Sequence, residues 1–170
     1  MAWVTVYDYA VTAGGGSAAR NFRNIVAADL IAQNGIKVRV TIKAGSGSTT
    51  VDGCSIGPMP TVDDFSGVPT RITFDSGNNG VTVQSGAVKA SDEIEFDYDC
   101  TKRYGIHLYC VDRLNLGFQS AGRGLYYNTP GDDDTLTQTV AYDSDANLTY
   151  GALKLEIYID DSKAKIIMVM

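Results

Sequence analysis

A chain of 170 residues, 44% of them hydrophobic, is long enough for one substantial core and too apolar to remain disordered. Its formal charge of -6 and pI near 4.6 argue against nucleic acid as a partner, because a phosphate backbone selects a basic footprint. No apolar run approaches the ~18 residues of a membrane-spanning helix, and the start Met1-Ala2-Trp3-Val4-Thr5-Val6 lacks the basic and apolar regions of a secretory leader. Neither a membrane partner nor export is expected.

The segment Trp3 to Val11 is dense in β-branched and aromatic residues and predicts a strand. Trp3, Val4, Val6 and Tyr7 are its candidate assembly residues, placed to add onto a neighbouring subunit's sheet. Ala13-Gly14-Gly15-Gly16-Ser17-Ala18 predicts a joint. Residues 1–20 therefore read as an N-terminal strand with a Gly-rich joint, a docking arm, and residues 21–170 as a single β-sandwich domain. A strand is expected to end near Val26 and to be followed by one helical turn around Ala27 to Ala32.

From Ile36 to Lys43 apolar and polar residues alternate without a break, which predicts a half-buried strand with Ile36, Val38, Val40 and Ile42 toward the core. Gly45 to Ser48 predicts a turn, and Thr49 to Ile56 a strand running back. Arg71 to Asp75, a Ser-Gly-Asn-Asn-Gly turn and Val81 to Gln84 predict a second hairpin. Further alternation marks Val88 to Asp99, Tyr104 to Val111, and Leu153 to Ile159, with Thr135 to Tyr142 and Ala164 to Met170 as additional strands. In the strand after Tyr104, Ile106, Leu108 and Cys110 point inward, while His107 and Tyr109 take the other face. Many short strands with Gly, Asn and Asp turns predict an all-β, antiparallel sandwich of jelly-roll type.

Cys54, Cys100 and Cys110 contain no CxxC pair and leave an odd thiol. Free, buried thiols made in a reducing cytoplasm are the expectation, with a Cys100–Cys110 contact across neighbouring strands as the alternative. Asp132, Asp134, Asp143 and Asp145 are the carboxylates a calcium ion would use. Leu148 and Lys154 stand where a calcium-binding EF-hand needs Gly and Glu, so solvated turns are preferred and no metal or other cofactor is expected. Gln119, Arg123, Tyr126, Tyr127 and Asn128 form a predicted contact loop for a glycan or a protein partner, because two glycines there give an adaptable backbone and two tyrosines give anchors. The single histidine, His107, sits mid-strand and reads as a packed or hydrogen-bonded residue, with no role in catalysis.

Residues Phe22 to Val26, Gly35 to Ile42 and Val51 to Gly57, continued by Ile72 to Asp75, Val81 to Ala87 and Ala90 to Phe96, resemble the β-sandwich accessory domain that precedes the catalytic domain in many SGNH (GDSL-type) hydrolases. The resemblance spans about Phe22 to Val111 and implies a jelly roll of carbohydrate-binding type. It does not extend to the hydrolase. Gly131-Asp132 is followed by Asp133 where that family has Ser, Asp75-Ser76 lacks a preceding Gly, and no Asp stands three residues before His107. The chain is similar in this respect to small freestanding sandwich proteins of tailed-phage virions. The expectation is a non-enzymatic virion structural protein, a head decoration, spike or fibre-type jelly roll, made in the host cytoplasm. It would contact other virion proteins, its own subunits as a homo-oligomer, and a surface glycan. The alternative is a carbohydrate-binding module without catalytic activity.

Overall fold

The structure, a computed structural model, describes residues 2–8, 21–60, 64–110, 118–119, 123–127, 144–146 and 149–160. In chain order the strands are β1 (Ala2–Asp8), β2 (Asn21–Val26), β3 (Gly35–Lys43), β4 (Thr49–Val51), β5 (Gly53–Pro58), β6 (Thr70–Ile72), β7 (Val81–Val83), β8 (Val88–Ala90), β9 (Ile94–Tyr98), β10 (Tyr104–Tyr109), β11 (Phe118–Gln119), β12 (Arg123–Tyr127), β13 (Ser144–Ala146), β14 (Thr149–Tyr150) and β15 (Ala152–Ile159). Every pairing among them is antiparallel.

One sheet runs β1-β15-β3-β8, with β9 also on β3, and the other runs β13-β12-β2-β10-β5-β6. Two-stranded pairs β4-β7 and β11-β14 accompany them; the chain crosses repeatedly between the two larger sheets, staying in one of them from β5 to β6, and its last described strand, β15, inserts between β1 and β3. That is jelly-roll connectivity. In the first sheet the core face carries Val4, Ile157 and Val38 in one row and Tyr7, Leu155 and Val40 in the next. In the second, Phe22, Leu108, Cys54 and Ile72 form one row, and Asn24, Ile106 and Ile56 another. The apolar residues of these rows meet in a single buried cluster, with Val4 packed against it and Asn24 buried beside it. Each fully buried Ile, Leu or Val contributes roughly 1.5–3 kcal/mol.

This connectivity replaces both expected hairpins. β3 pairs with β15, β8 and β9, not with the residues that follow its turn. The segment from Thr49 to Ile56 is not one strand: β4 pairs with β7, whereas β5 joins the large sheet beside β10 and β6. Asp52 makes the crossing, its amide donating to the Tyr109 carbonyl at 2.8 Å. The expected helical turn after Val26 is also absent, since Asp29 takes a left-handed φ of 59° and its amide donates to the Cys100 carbonyl. Cys54 and Cys110 are buried free thiols and Cys100 is a half-buried one.

The turn after β6 is the most strained part of the described chain. Asp75, Ser76 and Gly77 all have positive φ, and the bridge between Phe74 and Asn78 closes it. Asp92 holds it from the next sheet edge, accepting from the Ser76 amide at 3.0 Å, the Thr73 hydroxyl at 2.8 Å and the Gly77 amide at 2.8 Å. These bonds, led by that from Ser76, draw the Asp92 carboxyl below its ordinary range. A depressed carboxyl stabilises the fold above its unfolded value, about pH 4, and loses that contribution as pH falls through the folded value. Asp92→Asn is therefore expected to lower the thermal midpoint at pH 7, with the gap to the wild type closing in acid. A gap that is the same at pH 7 and pH 3 would contradict this role.

Candidate functional site

Of the four predicted assembly residues, the fold turns one outward. β1 bulges at Val6, where its register against β15 shifts between Thr5 and Tyr7, so Val6 and Tyr7 both enter the core. Val4 packs partly against the same core. Trp3 is half-buried on the outer face of the first sheet, its ring 5.3 Å from that of Tyr158 at 57°.

The outer face around Trp3 is built by register. Trp3, Tyr158, Lys37 and Glu95 are aligned across β1, β15, β3 and β9, and Thr5, Glu156 and Arg39 form the adjacent row. The Arg39 guanidinium lies 4.7 Å over the Trp3 ring and reaches one Glu156 oxygen at 3.0 Å through two nitrogens. Arginine can stack and pair at once because its charge is planar and its donors are forked. Lys154 meets the other Glu156 oxygen at 2.8 Å, and Lys37 meets Glu95 at 3.0 Å. Burial pushes the Glu156 carboxyl up, but the bonds from Lys154 and Arg39 outweigh it and leave the group below its usual range. The Glu95 hydrogen bond raises Lys37. The exposed Lys37–Glu95 pair adds little stability, whereas the Glu156 carboxylate is buried and held by both Arg39 and Lys154. Together these pairs fix a flat patch with two aromatic rings and fixed charges of both signs.

The described residues of the predicted contact loop fall in two separate strands. Gln119 lies in β11, and Arg123, Tyr126 and Tyr127 lie in β12, which is hydrogen-bonded to β2 on one side and β13 on the other. Tyr126 is in register with Phe22, and Tyr127 with Asn21. The β propensity of Leu125-Tyr126-Tyr127 outweighs the freedom of the flanking glycines. Asp145 lies in β13; Asn128, Asp132, Asp134 and Asp143 are outside the described residues, as are the strands expected over 135–142 and 164–170. Among the described residues no group of three or more His, Cys, Asp or Glu side chains is arranged to hold a metal ion.

A polar cluster lies buried on the outer face of the second sheet. Arg23, His107 and Ser55 are aligned across β2, β10 and β5, all three fully buried, with Asn21 beside them. Arg23 has donors only, so its contact with His107 Nδ1 at 3.4 Å makes that nitrogen the acceptor. The ring proton then sits on Nε2 and is donated to Asn21 Oδ1 at 3.0 Å. Burial, and then the Arg23 charge, hold His107 well below its ordinary pKa, so it is neutral. Met59 and Phe65, both buried, lie over this face, with the Arg23 guanidinium 3.9 Å over the Phe65 ring. Gly105 allows the approach: a Cβ there would stand 2.5 Å from Met59 Sδ. His107 is thus the packed, hydrogen-bonded strand residue its sequence position suggests. The burial of Arg23 is unforeseen, and the one hint is the absence of alternation in Asn21-Phe22-Arg23-Asn24-Ile25.

At the edge of this cover, a cleft of about 350 Å³ opens between Ala28, Pro58, Met59, Pro60, Lys102 and Arg103. Its cations are engaged, Arg103 Nε with the Met59 carbonyl at 3.3 Å and Lys102 with Asp99 at 3.3 Å. Its volume is at the small end for a ligand pocket. Fold and surface together define a jelly-roll sandwich with one aromatic, charged face. No known protein family matches the chain, and no curated protein is similar to it in sequence.

Proposed function

We propose that this chain is a non-enzymatic structural jelly roll of a tailed-phage virion, a head decoration, spike or fibre-type subunit that self-associates through β1 and the face around Trp3. The observation that carries the reading is Trp3 itself. It is a half-buried aromatic on the outer face of the terminal strand of the first sheet, clamped by Arg39 and Tyr158 in one fixed pose. Interfaces concentrate their energy in such anchored Trp, Tyr and Arg residues. The jelly roll, a common capsid fold, supports the reading by analogy. So does the inaccessible His107, the chain's only histidine, because a Ser nucleophile would need it as a base.

Trp3→Ala is expected to weaken self-association by roughly 30-fold, the effect of a ~2 kcal/mol anchor, while leaving the thermal midpoint nearly unchanged. Sedimentation at matched concentrations reads the first effect and calorimetry the second. Unchanged association in Trp3→Ala would remove this face from the account.

The same patch favours a second reading, a carbohydrate-binding module. Trp3 and Tyr158 offer ring surface, and Arg39, Lys37 and Glu156 offer partners for hydroxyls. Saturable glycan binding lost in both Trp3→Ala and Tyr158→Ala would support it. A negative result across a broad glycan array would dismiss it.

A further inference from the structure

We propose that Asn79-Gly80 is a self-modifying site: the Gly80 amide nitrogen attacks the Asn79 side-chain amide, and the isoaspartate that results loosens the start of β7. The reaction consumes only water. The Gly80 nitrogen, having lost its proton, forms a bond to Asn79 Cγ. The Cγ–Nδ2 bond breaks, ammonia leaves, and a cyclic imide remains. Water then opens the imide at either carbonyl, giving aspartate or, with the chain rerouted through Cβ and Cγ, isoaspartate. Glycine suits the attack because no Cβ crowds its nitrogen.

The sequence has two Asn-Gly pairs, and the fold treats them oppositely. Asn34 Oδ1 accepts from the Cys100 amide at 2.9 Å, which fixes that side chain. Gly35 is buried, opens β3 and is in register with Tyr98, and a Cβ on it would stand 2.8 Å from Ile157 Cβ. Asn79, in contrast, is exposed and lies between two held points. Before it, Phe74 and Asn78 exchange backbone bonds at 2.7 Å, and Asp92 holds the Ser76 and Gly77 amides. After it, Val81 is in register with Val51 in the β4–β7 pair. Among the described residues neither the Asn79 side chain nor the Gly80 amide has a hydrogen-bond partner. A link without such ties samples the bent conformation that ring closure needs, whereas a ladder resists it.

Isoaspartate adds one methylene to the backbone, at a place with no room for it. A Cβ on Gly80 would already stand 2.6 Å from the Val51 carbonyl oxygen, and β4 and β7 have only three residues each. The lengthened link drives Gly80 against that backbone or Val81 away from Val51, both of them core residues. Each conversion also adds a negative charge to a chain of formal charge -6.

Peptide mapping by mass spectrometry, on protein incubated for days at neutral and mildly alkaline pH, tests the site, and an isoaspartate-specific methyltransferase counts the product. In the folded chain Asn79 is expected to convert at least about tenfold faster than Asn34. The rate should rise with pH, because the nucleophile is the deprotonated amide. In guanidinium chloride the two pairs should convert within about twofold of each other, since the fold no longer separates them. An intact Asn79, or equal rates at the two pairs in the folded chain, would overturn the proposal. A contrast that persists in denaturant would also overturn it, by assigning the difference to the neighbouring residues. The loosening is read by comparing protein aged until Asn79 is mostly converted with fresh Asn79→Asp, which carries the charge without the methylene. The thermal midpoint is expected to fall in the aged protein and to stay near the wild type in Asn79→Asp. Equal midpoints for these two samples would refute the loosening.

Discussion

Replacing Arg23 by alanine is expected to lower the unfolding free energy by about 3–5 kcal/mol, the largest effect of any single polar side chain in the described fold. Three losses combine. The alkyl stem and guanidinium leave a cavity beneath Met59 and Phe65, in a layer with no solvent access. The stacking on Phe65 disappears, a desolvated cation–π contact of about 2 kcal/mol. His107 Nδ1 loses its donor, and an orphaned buried acceptor costs about 1–3 kcal/mol. These terms overlap and do not add in full. Arg23→Met separates them, because it refills most of the volume without restoring the donor, and it should recover about half of the loss. Urea unfolding at pH 7.5 measures both. A change of less than about 1 kcal/mol in Arg23→Ala would show that the guanidinium is not integral to this layer.

Gly80→Ala should cost about 2–3 kcal/mol, a heavy penalty for one methyl group. A Cβ there would stand 2.6 Å from the Val51 carbonyl oxygen, 3.0 Å from Asp52 Cα and 3.2 Å from the Asp52 carbonyl oxygen. All three are backbone atoms, and they belong to the point where the chain leaves the β4–β7 pair for the large sheet. The backbone there is pinned by the Asp52–Tyr109 bond and has nowhere to retreat. Gly67→Ala is the matched control, since its Cβ would meet nothing within 4 Å and its φ is not left-handed. That substitution should be neutral, or stabilise by up to about 1 kcal/mol through the unfolded chain. Similar midpoints for the two variants would contradict the tight crossing at Asp52.

The pattern of period two made the faces of β3 and β15 legible, because Val38, Val40, Leu155 and Ile157 alternate with charged residues as a half-buried strand requires. It did not reveal partners. Arg39 and Glu156 pair across 117 residues of chain, and the short turns after β3 and after β6 lead into a different sheet, so the turns that suggested hairpins connect sheets instead. The bulge at Val6 also reverses the local phase, which is why Tyr7 is inside while Trp3 is outside. Arg23 was illegible for a different reason. β2 and β10 are buried on both faces, so polarity gave no orientation, and Met59 and Phe65, which lie over part of the second face, come from a Pro-containing stretch with no periodicity. The Trp3 patch was half-read: its aromatic anchor stood out in the sequence, whereas Arg39, Glu156 and Tyr158 reach it only through the register of β15 between β1 and β3.

Self-association is the central claim, and the mass of the purified chain in solution tests it most directly, by light scattering behind a sizing column over a wide dilution series. A defined multiple of 18.2 kDa at high concentration, dissociating on dilution and shifted toward the monomer by Trp3→Ala, is the predicted result. A mass of 18.2 kDa at every concentration would contradict the structural-subunit reading and leave the glycan-binding one in its place.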